Sequence, residues 1–497
     1  EMAKMVDYAN AHGIDLRVDV ATPNLSNHYL VQILAGRATA NLPENGSQCS
    51  QMLKVAPLTR QKKRLRRQFD GQRIVTLLGT RLEESDTRRR NMEARRESAL
   101  SPVENAQGEL ILSPIMDWSI DHVFEYLGSA KAGLIAAYSN FEDLLELYRG
   151  FNGGACELAV YASGKPPRTG CSARSGCSIC LRSSTPRADE RGGLSETKDE
   201  SLNNMIKEPR YFYMRGLARL RDYIAAKHYD PNRRNWIARR CNDDGTINIS
   251  PVAYSPEHCS DLIKMIMTLD VEEQEAADEL GIAPRFQLLR PEDVVAIDFI
   301  SNRYGYTESF NALFWYREIH HRGKRFPVPA NPKAYPKIEF PPQIAARFAD
   351  SDYDALFNGL RDLDAATAGA EQLVTKGPGG RYYSGGGGGD EFRVDVEGAE
   401  LFIGFEMDRV LDNRHQNFTC PTAAAHYFLR LGTVSLHRGG HSENERMLRV
   451  ANQIQRHGLR EILNSPDALL ERLGRASNDE AALTLNDGQW DLFAVNE

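Results

Sequence analysis

The chain has 497 residues, 61 Lys and Arg against 68 Asp and Glu, a net charge of −7 and an apolar fraction of 41%. Such a length and composition give ample core for roughly two to four domains and exclude a disordered or collagen-like chain. No apolar run is long enough to cross a bilayer, and no signal-peptide pattern is present, so the expected location is cytoplasmic, with no membrane partner.

In chain order, Met2 to His12 has a helical pattern with Gly13 as its stop, and the sequence starts abruptly inside it, as a fragment would. Ile14 to Val20 (IDLRVDV) alternates like a strand, and Leu25 to Gly36 reads as a helix. Arg73 to Leu78 (RIVTLL) is a continuous apolar strand that empties into the turn Gly79-Thr80-Arg81 and then a polar helix. That order belongs to an open α/β sheet, where ligands collect at the carboxyl ends of strands.

Three local features converge on this strand end. Gly79 permits a tight turn, Arg81 and Arg88 are suited to gripping phosphate through a bidentate fork, and Ser85 is a donor to oxyanions. Cys49 and Lys54 put a thiol and an ammonium on one short helix, and Asp117 or Ser119 is placed to cap the helix after Trp118. Arg60, Lys62, Lys63, Arg64, Arg66 and Arg67 form a basic run, and Arg88, Arg89, Arg90, Arg95 and Arg96 a second one. Such runs are most often solvated helix faces, and neutralising phosphates of a nucleotide or of DNA is the alternative that the sequence allows.

Four of the eight cysteines lie in one window: Cys156, then Cys171, Cys177 and Cys180 at C-x5-C-x2-C spacing, with glycines before Cys171 and Cys177. Thiolates gathered this closely point to a shared inorganic centre, a [4Fe-4S] cluster first. Zinc is the rival and usually shows two short pairs, whereas one C-x-x-C is present; free or redox thiols are the third reading. A disulfide framework is disfavoured in a large chain that concentrates its cysteines.

From residue 201 the chain turns helical, over Met205 to His228 and Cys259 to Gly281. Tyr211, Phe212 and Tyr213 beside Arg210 and Arg215 read as core packing, with base stacking the alternative. Cys241 and Cys259 read as structural, and adjacent His320 and His321 point to different helix faces. Residues 322–342 are a Pro-rich connector and Ser384 to Asp390 (SGGGGGD) a flexible linker. Phe392 to Phe405 has strand-like stretches, and Ala423 to Leu431 and Glu443 to His457 read as helices. His415, His426, His437, His441 and Cys420 are too irregularly spaced to argue for a metal.

The order C-x3-L-K-x2-P (Cys49 to Pro57), G-x-R-x2-E-S-x2-R (Gly79 to Arg88) and P-x2-D-W-x2-D-x-V (Pro114 to Val123) resembles the phosphoadenosine-phosphosulfate (PAPS) reductase group of the adenine nucleotide alpha-hydrolases. The cysteine-rich insert resembles that of DNA phosphorothioation proteins of the DndC/SspD type, and the likeness covers about residues 1 to 320. The resemblance implies a doubly wound α/β nucleotide domain, incomplete at its N-terminus, followed by a cysteine-rich Fe-S segment and a largely helical C-terminal region. The corresponding domains are 1–135, 136–200, 201–325, a connector over 326–390 and an α+β region over 391–497. It further implies an ATP pyrophosphatase, dependent on Mg2+, that activates the DNA backbone for sulfur incorporation in anti-phage defence. Its partners would be DNA, a cysteine desulfurase as sulfur donor and other phosphorothioation proteins.

By position, Gly79, Arg81, Glu84, Ser85 and Arg88 would line the phosphates, Lys54 would sit near them, and Cys49 would lie close to the reacting centre. Cys156, Cys171, Cys177 and Cys180 would ligate the cluster, with Cys49 as substitute for Cys156. The group's S-G-G-K-D-S pyrophosphate loop is missing from this sequence, which is expected of a chain that omits the strand and loop before Glu1. Two other readings compete: a metal-held DNA-binding scaffold without catalysis, and a PAPS or APS reductase of sulfate assimilation, whose C-terminal tail cysteine this chain lacks.

Overall fold

The structure is a computed structural model. It describes residues 1–41, 48–84, 86–105, 108–151, 179, 200–241, 246–338, 340, 344–347, 374–376, 382–384, 392–437 and, beyond these, 440, 441, 444, 447, 448, 451, 452 and 455; at a few of them only the backbone is described. The architecture is mixed α/β, with helices outweighing a few short strands. The chain forms two compact units. One takes residues 1–22, 55–176 and 200–211; the other takes 23–54, 177–199 and 212–497.

The first unit is built on a small sheet of β1 (Val75–Leu77), β2 (Val103–Glu104) and β3 (Leu110–Leu112), in the order β1-β3-β2. β1 runs parallel to β3, pairing Val75 with Leu110 and Leu77 with Leu112, and β2 is antiparallel to β3. The helix Asp86–Ala94 lies in the crossover from β1 to β3, as parallel strands require, and buries Met92. β1 is the edge of this sheet, and Leu77 at its end is 67% exposed.

Residues 14–20 depart from the expected strand and have no regular structure. Alternation creates a strand only where a neighbouring backbone takes its hydrogen bonds and a core takes one face. Neither is supplied among the described residues, and Ile14, Val18 and Val20 remain exposed. The helix Met2–Ala11 does end ahead of Gly13, whose φ of 68° is left-handed.

The second unit packs around the helix Pro256–Leu280, which starts at Ser255, whose Oγ accepts the His258 N–H at 3.2 Å. It ends at Gly281 in the left-handed region. The helices Tyr29–Leu34, Arg215–Lys227, Pro291–Arg303 and Ala423–Leu431 share one apolar core with it. Cys259 sits wholly inside, its thiol reaching the Ile33 carbonyl oxygen at 3.3 Å, and burial pushes that thiol well above its ordinary range. This is a structural cysteine. In the region expected to be strand-like, strand is confined to Phe392–Val394, because the Asp395 carboxylate accepts the Gly398 N–H at 2.6 Å and starts the helix Val396–Leu401.

Candidate functional site

Because β1 and β3 are parallel, their carboxyl ends open at the same edge of the sheet, and the loops that leave them, 78–81 and 113–118, lie side by side. The ladder continues one residue past β1, where Leu78 N–H donates to the Leu112 carbonyl at 2.9 Å. Leu82 N–H then donates to the Met116 carbonyl at 2.9 Å, and the Arg81 guanidinium donates to the Trp118 carbonyl at 3.4 Å. The second loop is pinned at its root. Buried Ser113 donates to Glu97 Oε2 at 2.6 Å, and Arg95 holds the other oxygen of that carboxylate at 2.7 Å. Past the loop, Ser119 caps the helix Ile120–Lys131 through an Oγ that accepts the His122 N–H.

Between these anchors the first loop leaves polar groups uncommitted. The backbone N–H groups of Gly79, Thr80 and Arg81 meet no acceptor among the described residues. The Thr80 hydroxyl is buried and likewise has no partner there. A buried polar atom in this condition costs about 1–3 kcal/mol relative to one that is satisfied. A Cβ built on Gly79 would meet nothing within 4 Å among the described residues. Successive N–H groups without an acceptor at the carboxyl end of a parallel strand are of the kind that binds anions.

The charged residues stand beside it. Leu82–Glu84 is a single 3-10 turn that leads to the helix Asp86–Ala94. Both arginines converge on Glu84: Arg81 Nε lies 4.0 Å from one carboxylate oxygen, and Arg88 makes an ion pair with the other. Arg81 is mostly enclosed, its side chain 14% exposed, whereas half of the Arg88 side chain faces solvent. Glu84 thus serves as the internal counter-ion of the two groups expected to hold phosphate. An arriving anion has to compete with that carboxylate.

The fold therefore brings Gly79, Arg81, Glu84 and Arg88 together and adds Thr80, which the sequence motif did not single out. Ser85, Cys156, Cys171, Cys177 and Cys180 lie outside the described residues. Cys49 and Lys54 belong to the second unit. There Cys49 is half-buried and packed against the core with Met52 and Leu53, and Lys54 is exposed in the turn Gln51–Val55. No group of three or more His, Cys, Asp or Glu suited to a metal ion occurs among the described residues. No described helix is long and apolar enough to cross a membrane.

The second unit also holds a cleft of about 280 Å³ walled by Phe212, Tyr213 and Phe286. Its aromatic faces are already covered: Arg215 lies 3.4 Å over the Phe212 ring, and Arg285, held by Glu273 at 2.8 and 2.9 Å, lies 4.2 Å over Tyr213. These rings pack against guanidinium groups of the protein itself.

No family model, curated protein or solved structure matches the chain.

Proposed function

We propose that the loop 78–81 receives the phosphates of ATP, and that the chain is an ATP pyrophosphatase that activates the DNA backbone for sulfur incorporation in a phosphorothioation system. The observation that carries this reading is the set of uncommitted N–H groups on Gly79, Thr80 and Arg81, with the unsatisfied Thr80 hydroxyl, at the carboxyl end of a parallel strand. Oriented amides of this kind stabilise charge that builds on a leaving pyrophosphate without having to reorganise. The motif order around them is the one that resembles the PAPS reductase group, which supports ATP as the nucleotide.

The chemistry balances in two displacements. A nonbridging oxygen of a DNA phosphodiester attacks the α-phosphorus of ATP, the bond to the β-phosphate breaks, and pyrophosphate leaves with Mg2+. A hydrosulfide-level sulfur then attacks the DNA phosphorus, and AMP departs with the displaced oxygen. In the first step the amides of residues 79–81 hold the β- and γ-phosphates, while Arg81 and Arg88 turn from Glu84 toward the added charge. Cys156, Cys171, Cys177 and Cys180 would hold a [4Fe-4S] cluster, which would supply a site for sulfide or hold the cysteine-rich segment folded. Neither displacement as written depends on it.

The test is product analysis with the full chain prepared without oxygen and given ATP, Mg2+, duplex DNA and hydrosulfide. Pyrophosphate and AMP in equal amounts, with DNA required, are the expected products. Release of ADP and phosphate, or no DNA dependence, contradicts the proposal.

A further inference from the structure

The helix Ala56–Gln68 (APLTRQKKRLRRQ) carries six cations and no acid in thirteen residues, within a chain whose net charge is −7. At 100° per residue the cations divide into two faces. Lys62 and Arg66 are adjacent on one face, and both bind Glu109, at 3.5 and 2.9 Å. Lys63, Arg64 and Arg67 fall within an arc of about 100° on the next face, joined by i,i+3 and i,i+4 spacing. These three are exposed and have no partner among the described residues. Arg60 falls within the same arc and reaches the Thr22 carbonyl at 3.3 Å.

Like charges at i,i+4 oppose helix formation by about 0.2–0.5 kcal/mol per pair, and a solvated face ordinarily mixes signs to avoid this. Glu109 relieves one face only. The other keeps its repulsion, which an external polyanion removes. Leu58 and Leu65 lie roughly opposite the stripe by the same 100° rule, and these two leucines, with no aromatic residue in the helix, make a thin apolar face for a lipid interface.

We propose that Lys63, Arg64 and Arg67 of this helix track the phosphate backbone of duplex nucleic acid, without reading its sequence. The surface needs no nucleotide to form. That the duplex is DNA rests on the function proposed above, whereas the backbone contact does not.

The experiment is fluorescence anisotropy of a short random-sequence duplex with the full-length protein across a salt series, for wild type and for K63A/R64A/R67A. Each phosphate neutralised contributes about −0.9 to the slope of log affinity against log salt, so removing three flattens the slope by about 2.7. Between about 50 and 200 mM salt, wild type then loses roughly 40-fold more affinity than the triple variant does. An equal loss on AT-rich and GC-rich duplexes is expected. R219A, which removes an exposed cation in the second unit, leaves the slope unchanged.

Circular dichroism on the triple variant confirms its fold, and ATP binding at the wild-type level keeps failure of this proposal distinct from failure of the nucleotide site. The proposal is overturned by an unchanged slope in the triple variant, by no duplex binding in wild type, or by loss of binding to phosphatidylserine vesicles with duplex affinity intact.

Discussion

The guanidinium of Arg81 donates to the carbonyl oxygen of Trp118 at 3.4 Å, which ties the loop after β1 to the loop after β3. With Leu82 N–H on the Met116 carbonyl, it keeps the open end of the sheet from splaying. Arg81→Ala is expected to speed amide hydrogen exchange across 113–118 and to weaken ATP binding by about tenfold, the scale of one charged hydrogen bond. Arg81→Lys should not restore binding, because an ammonium cannot span Trp118, Glu84 and a phosphate as a planar fork does. Calorimetric titration with ATP, together with exchange mass spectrometry, checks both statements.

Glu84 holds Arg81 and Arg88 in the absence of ligand, so it is a competitor for any phosphate they bind. Glu84→Gln keeps the shape and removes the charge. ATP affinity should rise by roughly three- to tenfold, since charged hydrogen bonds are worth more than neutral ones by about 1 kcal/mol. A fall in affinity on this substitution would mean that Glu84 orients the arginines productively rather than occupying them.

Acid sensitivity of the second unit is expected to arise in part at two buried histidines. Burial, with the charge of Arg234 next, pushes His228 down to about 2; burial, with Arg233 next, pushes His258 down to about 3. Unfolded histidine titrates near 6.5, so below that pH the unfolded chain binds protons that the folded chain refuses. Stability from these groups is complete above about pH 6.5 and is lost as pH falls toward the folded values, by about 2 kcal/mol per histidine between pH 7 and 5. Asp298 works in the opposite sense, since burial pushes it up to about 7 and the fold gains stability as it takes its proton.

The share of one histidine is isolated by comparing wild type with His258→Phe. Both ring nitrogens of His258 lack a partner among the described residues, and the ring packs between Tyr223 and Tyr254 at 5.7 and 4.8 Å, so phenylalanine fits the same slot. Urea unfolding at pH 7 and 5 should show the variant losing about 2 kcal/mol less than wild type. Equal losses would place the acid sensitivity elsewhere.

Much of the site was legible in the sequence where a property is local. Arg73 to Leu78 reads as a strand because it is a short apolar run closed by Gly79, and its centre Val75–Leu77 is one; of the two caps read before the next helix, Asp117 and Ser119, it is Ser119 that directly precedes the helix and caps it. What escaped depends on partners far along the chain. Ile14 to Val20 has the right alternation but no neighbouring strand among the described residues to complete it, and Phe392 to Phe405 yields to the cap at Asp395. The sequence placed Glu84 with the phosphates, and the fold makes it the anion that Arg81 and Arg88 already hold. Thr80 carried no signal at all, because whether a hydroxyl is satisfied is known only once its surroundings are in place.

The central claim is that the polar groups of the loop 78–81 are left unsatisfied for the sake of a bound phosphate, and Thr80→Val tests it most directly. Valine matches the shape and removes the unsatisfied hydroxyl. Measured on the same protein, the unfolding free energy should rise by about 1 kcal/mol while ATP affinity falls by about tenfold. An unchanged ATP affinity in a variant that is as stable as wild type or more so would contradict the account.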